Sequence, residues 1–476
     1  MKLTSAQSDR AAGVMLVMAC GDALGAGYEF GPPFDGEVVM RGGGGFNWAP
    51  GEWTDDTSMA VPILRAAASG RDLREEAVLD EIVAAWADWA KTAPDVGVQT
   101  SGVLRGIEPT ASDARASAKR LHDARGQSGG NGSLMRTAPV ALAYLDDPQR
   151  LAEAARAISD LTHFEEDAGD ACVLWCLAIR HAILTGELDA RVGLSALSPD
   201  RAALWADRIA DAETKQPRDF TKNGWVVEAF QAAWSAIVHG EGPVDTLERA
   251  VRGGRDTDTV AAIAGGLIGA RWGLSAIPAA WQRIFHGWPG LTSLDLVRLS
   301  TEVVRGEPTD ERVDYEGYGD ISTLVQHPHD AGVWLGAVGA LDNLPPEVDA
   351  VVTLCRIGSK QVPARIRDRV EIRLIDRVEP EQNPNLNFVL ADAADVVAAL
   401  RAEGHTVLLH CVQAQSRTPT VAALYAARHL DVPIERALSE VSAALTHARP
   451  NRAFRNALTD LNLTAQSAPT TNRFRS

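Results

Sequence analysis

The hydrophobic pattern of this chain changes near residue 305, and this change limits the folds that the chain can adopt. Before that point, alanine- and leucine-rich segments repeat apolar residues at the spacing of one helix face. After it, short β-branched runs bounded by turn residues alternate with helical segments. We therefore predict an all-α domain followed by a smaller α/β domain with a mainly parallel sheet.

The predicted elements follow from these patterns. Helices of the first domain are expected at residues 57–69, 75–91, 170–185, 226–239 and 244–252. In the second domain, strands are expected in DAVVTLCRIG, VEIRLID and TVLLHC, and helices at 391–403, 418–430 and 433–447. The predicted organisation is a domain at 1–305, a linker at 306–319, a domain at 320–465 and a disordered tail at 466–476.

Composition limits the possible partners. The net charge of −17, from 63 acidic and 46 basic residues, disfavours nucleic acid, which is bound through basic surfaces. The five cysteines are scattered, so we expect no disulfide framework and a cytoplasmic location. We find no uninterrupted apolar stretch of membrane-spanning length, so no membrane partner is expected.

Two acidic clusters each stand directly before an apolar helical segment. WTDDTSM contains Asp55 and Asp56, and RGGRDTDTV contains Asp256 and Asp258. Either cluster alone is explained by capping of a helix N-terminus. If the two clusters meet in space, however, four close carboxylates require a compensating cation or must take up protons. Hard oxygen ligands of this kind suit Mg²⁺ or Mn²⁺.

Four motifs, GDALGAGYEF, TDDT, GNGSLMR and GRDTDTVAAIAGGLIGA, occur in this order between residues 10 and 290. Together they resemble the ADP-ribosylglycohydrolase family, which includes the dinitrogenase reductase-activating glycohydrolase. The resemblance implies an all-α fold that holds two divalent ions, Mg²⁺ or Mn²⁺. The implied metal ligands are Thr54, Asp55, Asp56, Asp256, Asp258 and Thr259.

The same resemblance gives roles to further residues. The loop that family members wrap around the diphosphate and ribose is matched by Asn131, Gly132, Ser133 and Met135. His163 matches a histidine near the ligand, and Glu29 matches a glutamate that closes over the metals. A plain turn, a surface histidine and a turn-facing carboxylate are the alternative explanations. Arg255 departs from the usual GGDTDT pattern; it could pair with an acid or a phosphate, or mark a register shift of one residue.

The chemistry implied by the resemblance is cleavage at the anomeric carbon of ADP-ribose. Two metals would hold the distal ribose, and carboxylates would stabilise an oxocarbenium-like state. A water deprotonated towards Asp55 or Asp56 would be the nucleophile. The scissile bond stays open, because arginine-, serine- and nucleic-acid-linked ADP-ribose and a free ADP-ribose ester all fit.

A second constellation lies in VLLHCVQAQSRTPT, where Cys411 and Arg417 form the pattern H-C-x5-R-[ST]. A thiolate at a helix N-terminus, with one arginine to hold phosphate oxygens, is suited to attack phosphorus. A buried structural cysteine is the alternative, but it leaves the histidine and the arginine unexplained. Ser416 or Thr418 could assist departure of the thiolate.

This segment resembles the signature loop of the cysteine-dependent dual-specificity and tyrosine phosphatases, and the similarity covers about residues 320–465. Asp376 stands where those enzymes keep a general-acid aspartate. Ala414 replaces a usual glycine, which costs roughly 1 kcal/mol if the position needs a positive φ. A phosphate-binding domain without activity is therefore an alternative to a phosphatase.

These observations predict a metal-dependent hydrolase that releases ADP-ribose from an ADP-ribosylated protein or small molecule by cutting an N- or O-glycosidic bond. Its second domain would take a phosphate-bearing substrate. One alternative is a phosphatase whose first domain only binds ADP-ribose. Another is a non-catalytic sensor of ADP-ribose and phosphate. Metal-dependent release of free ADP-ribose would separate the first hypothesis from the other two.

Overall fold

The computed structural model of the chain describes residues 1–467, which form two compact units. Unit 1 comprises Met1–Ile277 and Ile284–Thr309, and unit 2 comprises Pro278–Arg283 and the chain from Asp310 onward. The sequence expectation differs at three places. Residues 278–283, predicted in the first domain, belong to unit 2, and so does most of the predicted linker 306–319. Of the predicted tail 466–476, residues 466–467 are helical and 468–476 lie outside the described residues.

Packing against unit 2 explains why residues 310–319 are not a free linker. The backbone N–H of Val313 donates to Gln361 Oε1 at 3.1 Å. The Tyr315 hydroxyl donates to the carbonyl of Arg356 at 2.5 Å. These hydrogen bonds satisfy polar groups of the segment within unit 2, whereas a linker would leave them to water.

Unit 1 is mainly helical, with a two-residue antiparallel ladder between β1 (His286–Gly287) and β2 (Leu291–Thr292) and three isolated β-bridges. This confirms the predicted helical character. Its helices are α1 (Ser5–Gly25), α2 (Asp55–Ala68), α3 (Glu76–Trp89), α4 (Val98–Leu104), α5 (Ala111–Arg125), α6 (Ala138–Ala143), α7 (Pro148–Asp160), α8 (Glu166–Thr185), α9 (Pro199–Thr214), α10 (Val226–His239), α11 (Pro243–Arg252), α12 (Thr257–Trp272) and, after the short α13 (Ala279–Gln282) of unit 2, α14 (Ser293–Arg305).

Two segments of unit 1 have the length and hydropathy of a membrane span, which the sequence expectation did not recognise. They are Ser5–Tyr28, which contains α1, and Glu166–Thr185, which is α8. In the structure, 100% and 78% of their most apolar windows are buried inside the protein. Their apolar residues are therefore used as core, and the two helices pack against others of the same unit.

Helices α1 and α12 approach each other backbone to backbone at the centre of unit 1. A Cβ on Gly21 would lie 2.2 Å from the carbonyl oxygen of Ala261, and one on Gly25 would lie 2.4 Å from Cα of Asp258. Only glycine permits such contacts. This close approach places the last turn of α1, which carries Asp22, against the first turn of α12.

Unit 2 is an α/β structure around a five-stranded sheet of order β3-β4-β7-β5-β6. The predicted, mainly parallel sheet is confirmed, since among the described strands β3 alone pairs in an antiparallel manner. The strands are β3 (Leu324–His327), β4 (Asp330–Gly336), β5 (Ala350–Thr353), β6 (Asp368–Glu371) and β7 (Val407–His410). The helices after the sheet begins are α15 (Leu386–Ala402), α16 (Arg417–His429), α17 (Ile434–Ala444) and α18 (Arg452–Ser467).

Asp392 on α15 is expected to make the stability of unit 2 depend on pH. Its carboxylate accepts the backbone N–H of Ala279 at 2.9 Å, and burial raises its pKa from 3.8 to about 7. Because the unfolded chain releases this proton at lower pH than the folded chain, the free energy of unfolding should fall as pH rises from about 4 to about 7. Urea titrations across this range should show a shallower decline for Asp392→Asn; an identical decline in both proteins would contradict the assignment.

Candidate functional site

The two acidic clusters of unit 1 meet in the structure, where α2 and α12 begin beside the end of α1. Asp22, Asp56 and Asp258 each offer a carboxylate oxygen, and these oxygens all lie within 4.8 Å of one another. Glu29 and Asp256 form a second such group with the same Asp258. We call these five residues the acid cluster. Its members come from segments that are far apart in the sequence. The two acidic clusters therefore lie together, which is the condition under which they require a compensating cation or bound protons.

Thr54 contacts three members of the acid cluster. Its hydroxyl donates to Asp22 at 2.8 Å and lies 3.1 Å from Asp56 Oδ2 and 3.5 Å from Asp258 Oδ2. Although Thr54 occupies the N-cap position of α2, its side chain makes no capping hydrogen bond. Capping by this side chain therefore does not explain the motif.

Asp22 was missed by the sequence reasoning, although it stands in the quoted motif GDALGAGYEF. Its carboxylate accepts four hydrogen bonds, from the backbone N–H and the hydroxyl of Thr54 and from the same two groups of Thr57. These bonds tie the start of α2 to α1. The available signal was that this motif contains two acids, Asp22 as well as Glu29, because a carboxylate that becomes buried requires donors or a cation.

The donor set of the acid cluster fits a hard divalent cation. Asp56 Oδ1 and Glu29 Oε2 are buried and have no hydrogen-bond partner among the described residues. Burial and the neighbouring acids raise the pKa of Glu29 to about 9 and hold the pKa of Asp56 and Asp258 well above the ordinary value. Carboxylates in this state must either carry protons or share a cation, and oxygen ligands suit Mg²⁺ or Mn²⁺.

Two of the predicted ligands, Thr259 and Asp55, are not among the five residues of the acid cluster. Thr259 makes a side-chain hydrogen bond with Asp256. Asp55 belongs to neither close group and shares a hydrogen bond with Asp95 instead. Burial, followed by the charge of Asp95, raises the pKa of Asp55 well above its ordinary value. Asp95 was missed, and KTAPDVGV offered no signal for it. The Asp55–Asp95 pair gives the site a place where a proton can be held.

The predicted substrate loop adopts a 3₁₀ turn at Asn131–Ser133; we call residues 129–135 the glycine turn. The Asn131 amide donates to Asp256 Oδ2 at 2.8 Å and to the carbonyl of Asn223 at 3.0 Å. The turn therefore borders the acid cluster directly. Ser133 Oγ faces α8, where it accepts a hydrogen bond from the Cys172 thiol. Asn223, which the sequence reasoning missed, donates from its side-chain amide to the carbonyls of Gly254 and Asp256.

The remaining predicted substrate residues are Met135 and Gly132, within the glycine turn, and His163, which packs against it. Met135 is buried and its backbone N–H donates to the carbonyl of Asn131 at 3.1 Å. His163 is only 1% exposed, so the alternative of a surface histidine is wrong. Gly130 and Gly132 pack on the ring of His163, since a Cβ on either would lie 3.2–3.3 Å from its atoms. The glycines thus make room for the imidazole.

Arg255 is the additional residue of the GGRDTDT motif, and the backbone accommodates it before Asp256. Its φ is 67°, a left-handed conformation, and its backbone pairs with Phe30 and Gly31. Its guanidinium donates to the carbonyls of Arg218 and Gly253. These contacts are with carbonyl oxygens and not with an acid, and Asp256 remains the residue directly before α12.

In unit 2, Cys411 follows β7 and Arg417 opens α16. Together with Asp376 they line a cavity of about 200 Å³. Nη1 of Arg417 donates to the carbonyls of Leu354 and Leu374 at 3.0 and 3.1 Å. The three residues predicted from the sequence are therefore brought together in one small polar cavity.

Asp376 is held by neighbours rather than left free. Its Oδ1 accepts hydrogen bonds from Ser416 Oγ and Asn451 Nδ2, both at 2.8 Å. The predicted alternatives for assisting the thiolate are also engaged, Ser416 with Asp376 and Thr418 with the carbonyl of Gly336. Asn451, from the segment before α18, was not anticipated.

Ala414 adopts a φ of 56°, so the position does require the left-handed conformation that favours glycine. We expect Ala414→Gly to raise the free energy of unfolding of unit 2 by up to about 1 kcal/mol, because the strain of a Cβ at positive φ is removed. Urea unfolding of the two proteins measures this. Ala423→Gly, inside α16, is the control and should destabilise. A less stable Ala414→Gly protein would contradict the account.

Comparison with known proteins gives separate results for the two parts of the chain. Over 138 residues the chain is 28% identical to dual specificity protein phosphatase 1 of Arabidopsis thaliana, which covers 28% of this chain and 68% of that protein. Part of the chain is therefore similar to dual-specificity phosphatases, as the resemblance at Cys411 predicted.

The first part has a broader match. It is 32% identical over 295 residues to ADP-ribosyl-[dinitrogen reductase] glycohydrolase of Rhodospirillum rubrum, covering 57% of this chain and 89% of that protein. It is 29% identical over 325 residues to ADP-ribosylarginine hydrolase Tri1 of Pseudomonas putida (strain GB-1), covering 65% and 82%. The ADP-ribosylglycohydrolase family profile matches residues 3–310, which is more than half of the chain. The chain belongs to the ADP-ribosylglycohydrolase family.

Proposed function

We propose that unit 1 is a metal-dependent hydrolase that releases ADP-ribose from an ADP-ribosylated protein or small molecule. The observation that carries this proposal is the convergence of five carboxylates beside the starts of α2 and α12, three of them buried and two with an oxygen that has no hydrogen-bond partner among the described residues. Two Mg²⁺ or Mn²⁺ ions are the proposed cofactors. The residues that would hold them are Thr54, Asp55, Asp56, Asp256, Asp258 and Thr259, with Asp22 and Glu29 beside them.

Different residues of the chain would have different roles in the reaction. Bound divalent cations would supply positive charge to the acid cluster and orient the ribose hydroxyls. Asn131, fixed by its hydrogen bond to Asp256, borders the place where the distal ribose would lie. Asp55 would accept the proton of the attacking water, and Asp95, which shares a hydrogen bond with it, would help to hold that proton. Buried carboxylates beside the anomeric carbon would stabilise positive charge as the glycosidic bond breaks.

Arginine-linked ADP-ribose is the first substrate to test. One relative is described as an ADP-ribosylarginine hydrolase and another as acting on ADP-ribosylated dinitrogen reductase. Serine-linked and nucleic-acid-linked ADP-ribose and a free ADP-ribose ester complete the panel. We place the enzyme in the cytoplasm, in keeping with five free cysteines among the described residues.

The test is release of free ADP-ribose from each substrate, with Mg²⁺, Mn²⁺ or a chelator, by the parental protein and by Asp56→Ala. We expect release from at least one linkage, loss of release with chelator and loss in the variant. An Asp56→Ala protein that works at the parental rate would sink the proposal. Tight binding of ADP-ribose without release from any substrate would instead favour a binding module, the second hypothesis for this unit.

For unit 2 we propose a cysteine-dependent phosphatase that takes a phosphate-bearing substrate. Cys411 would attack phosphorus and form a phosphocysteine, Arg417 would hold the phosphate oxygens, and Asp376 would give a proton to the leaving oxygen. Water would then release phosphate and restore the thiolate. Phosphate binding without turnover is the second candidate, favoured by Ala414 at positive φ and by the two donors that hold Asp376.

Hydrolysis of an aryl phosphate separates these two candidates for unit 2. We expect Cys411→Ser to lose essentially all phosphatase activity, because serine is a far weaker nucleophile at neutral pH. Cys355→Ser is the matched control, since Cys355 is a second buried cysteine of the same unit. Equal activity of Cys411→Ser and the parental protein would remove Cys411 from the mechanism. Absence of turnover in the parental protein, with phosphate still bound, would establish the binding role.

A further inference from the structure

A buried arginine of unit 1 donates to a hydroxyl behind the glycine turn. Arg136, the last residue of GNGSLMR, is 0% exposed, and its guanidinium carbon lies 3.9 Å from the centre of the Trp86 ring. Nη2 of Arg136 donates to Thr162 Oγ1 at 2.6 Å. Burying a guanidinium is costly, and the aromatic face and this hydrogen bond offset only part of that cost. The metal site and the substrate turn described above do not use this arginine directly.

The hydroxyl of Thr162 determines which atom donates in its hydrogen bond with His163. Thr162 Oγ1 lies 2.7 Å from His163 Nδ1. A guanidinium can only donate, so Thr162 Oγ1 accepts from Arg136. Among the described contacts, His163 Nδ1 is then the acceptor that the proton of this hydroxyl can reach. In that arrangement Nδ1 accepts a hydrogen bond and the ring proton resides on Nε2.

The opposite edge of the ring faces the glycine turn. A Cβ on Gly130 or on Gly132 would lie 3.3 Å from His163 Nε2. Burial, and then the charge of Arg136, hold the pKa of His163 well below its ordinary value, so the ring is neutral at physiological pH. A neutral imidazole donates from one nitrogen only, and the identity of that nitrogen decides whether an anion at the turn meets a donor or a lone pair.

We propose that Arg136 and Thr162 are positioning residues that hold His163 as the Nε2–H tautomer, so that its ring donates towards the diphosphate of ADP-ribose at the glycine turn. This inference rests on the function proposed for unit 1. The direction of the chain is set by Arg136, which cannot accept a hydrogen bond. Thr162 is the transmitting group, and its hydroxyl, rather than its volume, is what the arrangement requires.

The tautomer of His163 can be observed without substrate. Two-bond ¹H–¹⁵N correlation spectra of the ¹⁵N-labelled full chain distinguish the protonated from the unprotonated ring nitrogen, and the signals of His163 are those lost in His163→Gln. We expect the parental protein and Thr162→Ser, which keeps the hydroxyl, to show the Nε2–H form. Thr162→Val, which keeps the volume, should show the Nδ1–H form or a mixture.

Binding of free ADP-ribose with Mg²⁺, measured by calorimetry, gives the second readout. Thr162→Val should raise the Kd about tenfold or more, whereas Thr162→Ser should stay within about twofold, because the lost interaction is a hydrogen bond to a charged group. An Nδ1–H tautomer in the parental protein would overturn the inference even if the valine variant fails to fold. A folded Thr162→Val protein with the parental Kd would overturn it as well.

The two proposals fail in distinguishable ways. A parental protein that binds no ADP-ribose, yet shows the Nε2–H form, would refute the substrate proposed for unit 1 and the diphosphate acceptor. It would leave the chain from Arg136 through Thr162 to His163 supported. A parental protein that releases ADP-ribose but carries the Nδ1–H form would refute only the positioning role.

Discussion

Asp258→Asn is expected to abolish release of ADP-ribose while making the metal-free protein more stable. Asp258 is the residue that both close groups of the acid cluster share, so its loss removes a ligand from each. Losing charge stabilisation of several kcal/mol should lower the rate about a thousandfold or more. Without a cation, however, Asp258 is a buried acid whose pKa burial and neighbouring carboxylates raise well above the ordinary value. Removing that charge should raise the free energy of unfolding by on the order of 1–2 kcal/mol.

Thermal unfolding in chelator and in Mg²⁺, beside the rate of ADP-ribose release, measures both effects. The parental protein should gain stability from Mg²⁺, by about 2.7 kcal/mol at a hundred times the Kd, and Asp258→Asn should gain far less. Asp88→Asn is the control, because Asp88 is an exposed acid of unit 1 that pairs only with Lys91 in the described contacts. Retained activity, or lower stability of Asp258→Asn in chelator, would contradict the assignment of the cluster as a cation site.

Gly265→Ala is expected to destabilise unit 1 by at least about 2 kcal/mol, although alanine is the better helix former. Gly265 lies in α12 against α1, and a Cβ there would lie 2.4 Å from the carbonyl oxygen of Val17. A backbone atom cannot rotate away as a side chain can, so the two helices must separate. Because Asp22 and Asp258 are carried by these helices, we also expect weaker stabilisation by Mg²⁺.

The neighbouring residue supplies a matched control for this substitution. Gly266 faces side chains, and its Cβ would lie 3.2 Å from Cβ of Ala138 and 3.6 Å from Cδ1 of Ile179. Gly266→Ala should therefore change the free energy of unfolding by less than about 1 kcal/mol, since the helix gains from alanine and the neighbours can adjust. Urea unfolding of both variants decides the matter. Equal stabilities of Gly265→Ala and Gly266→Ala would show that close approach of the backbones is not what holds α1 to α12.

The local signals in the sequence predicted helices in both units and strands in unit 2. The apolar spacing of 226–239 predicted a helix with the bounds found for α10, and TVLLHC predicted the strand that becomes β7. The hairpin of β3 and β4 was missed, because LVQH and DAGVWLG lack the continuous apolar character of the other strands. Residues 310–319 were taken for a linker because their charges are typical of one, yet specific hydrogen bonds hold them on unit 2.

The sequence by itself determined the types of residue at both sites and the order in which they occur. Acids and hydroxyls before helices, together with the family resemblance, predicted metal ligands at residues 54–56 and 256–259, and the H-C-x5-R pattern predicted a phosphate site at Cys411 and Arg417. Such motifs are local, because the residues that open one helix or one loop are adjacent in the chain.

Only the tertiary structure decided which of these residues act together. The two acidic clusters are some 200 positions apart in the sequence, and this separation does not determine their distance in space. The glycine contact of α1 with α12 helps to set that distance, and it also places Asp22 in the acid cluster. The roles of Asp95 and Asn223 depend on neighbours from other segments, so no local pattern marks them. The polarity from Arg136 to His163 likewise exists only where the two side chains meet Thr162 in a buried space, since water would otherwise satisfy each group separately.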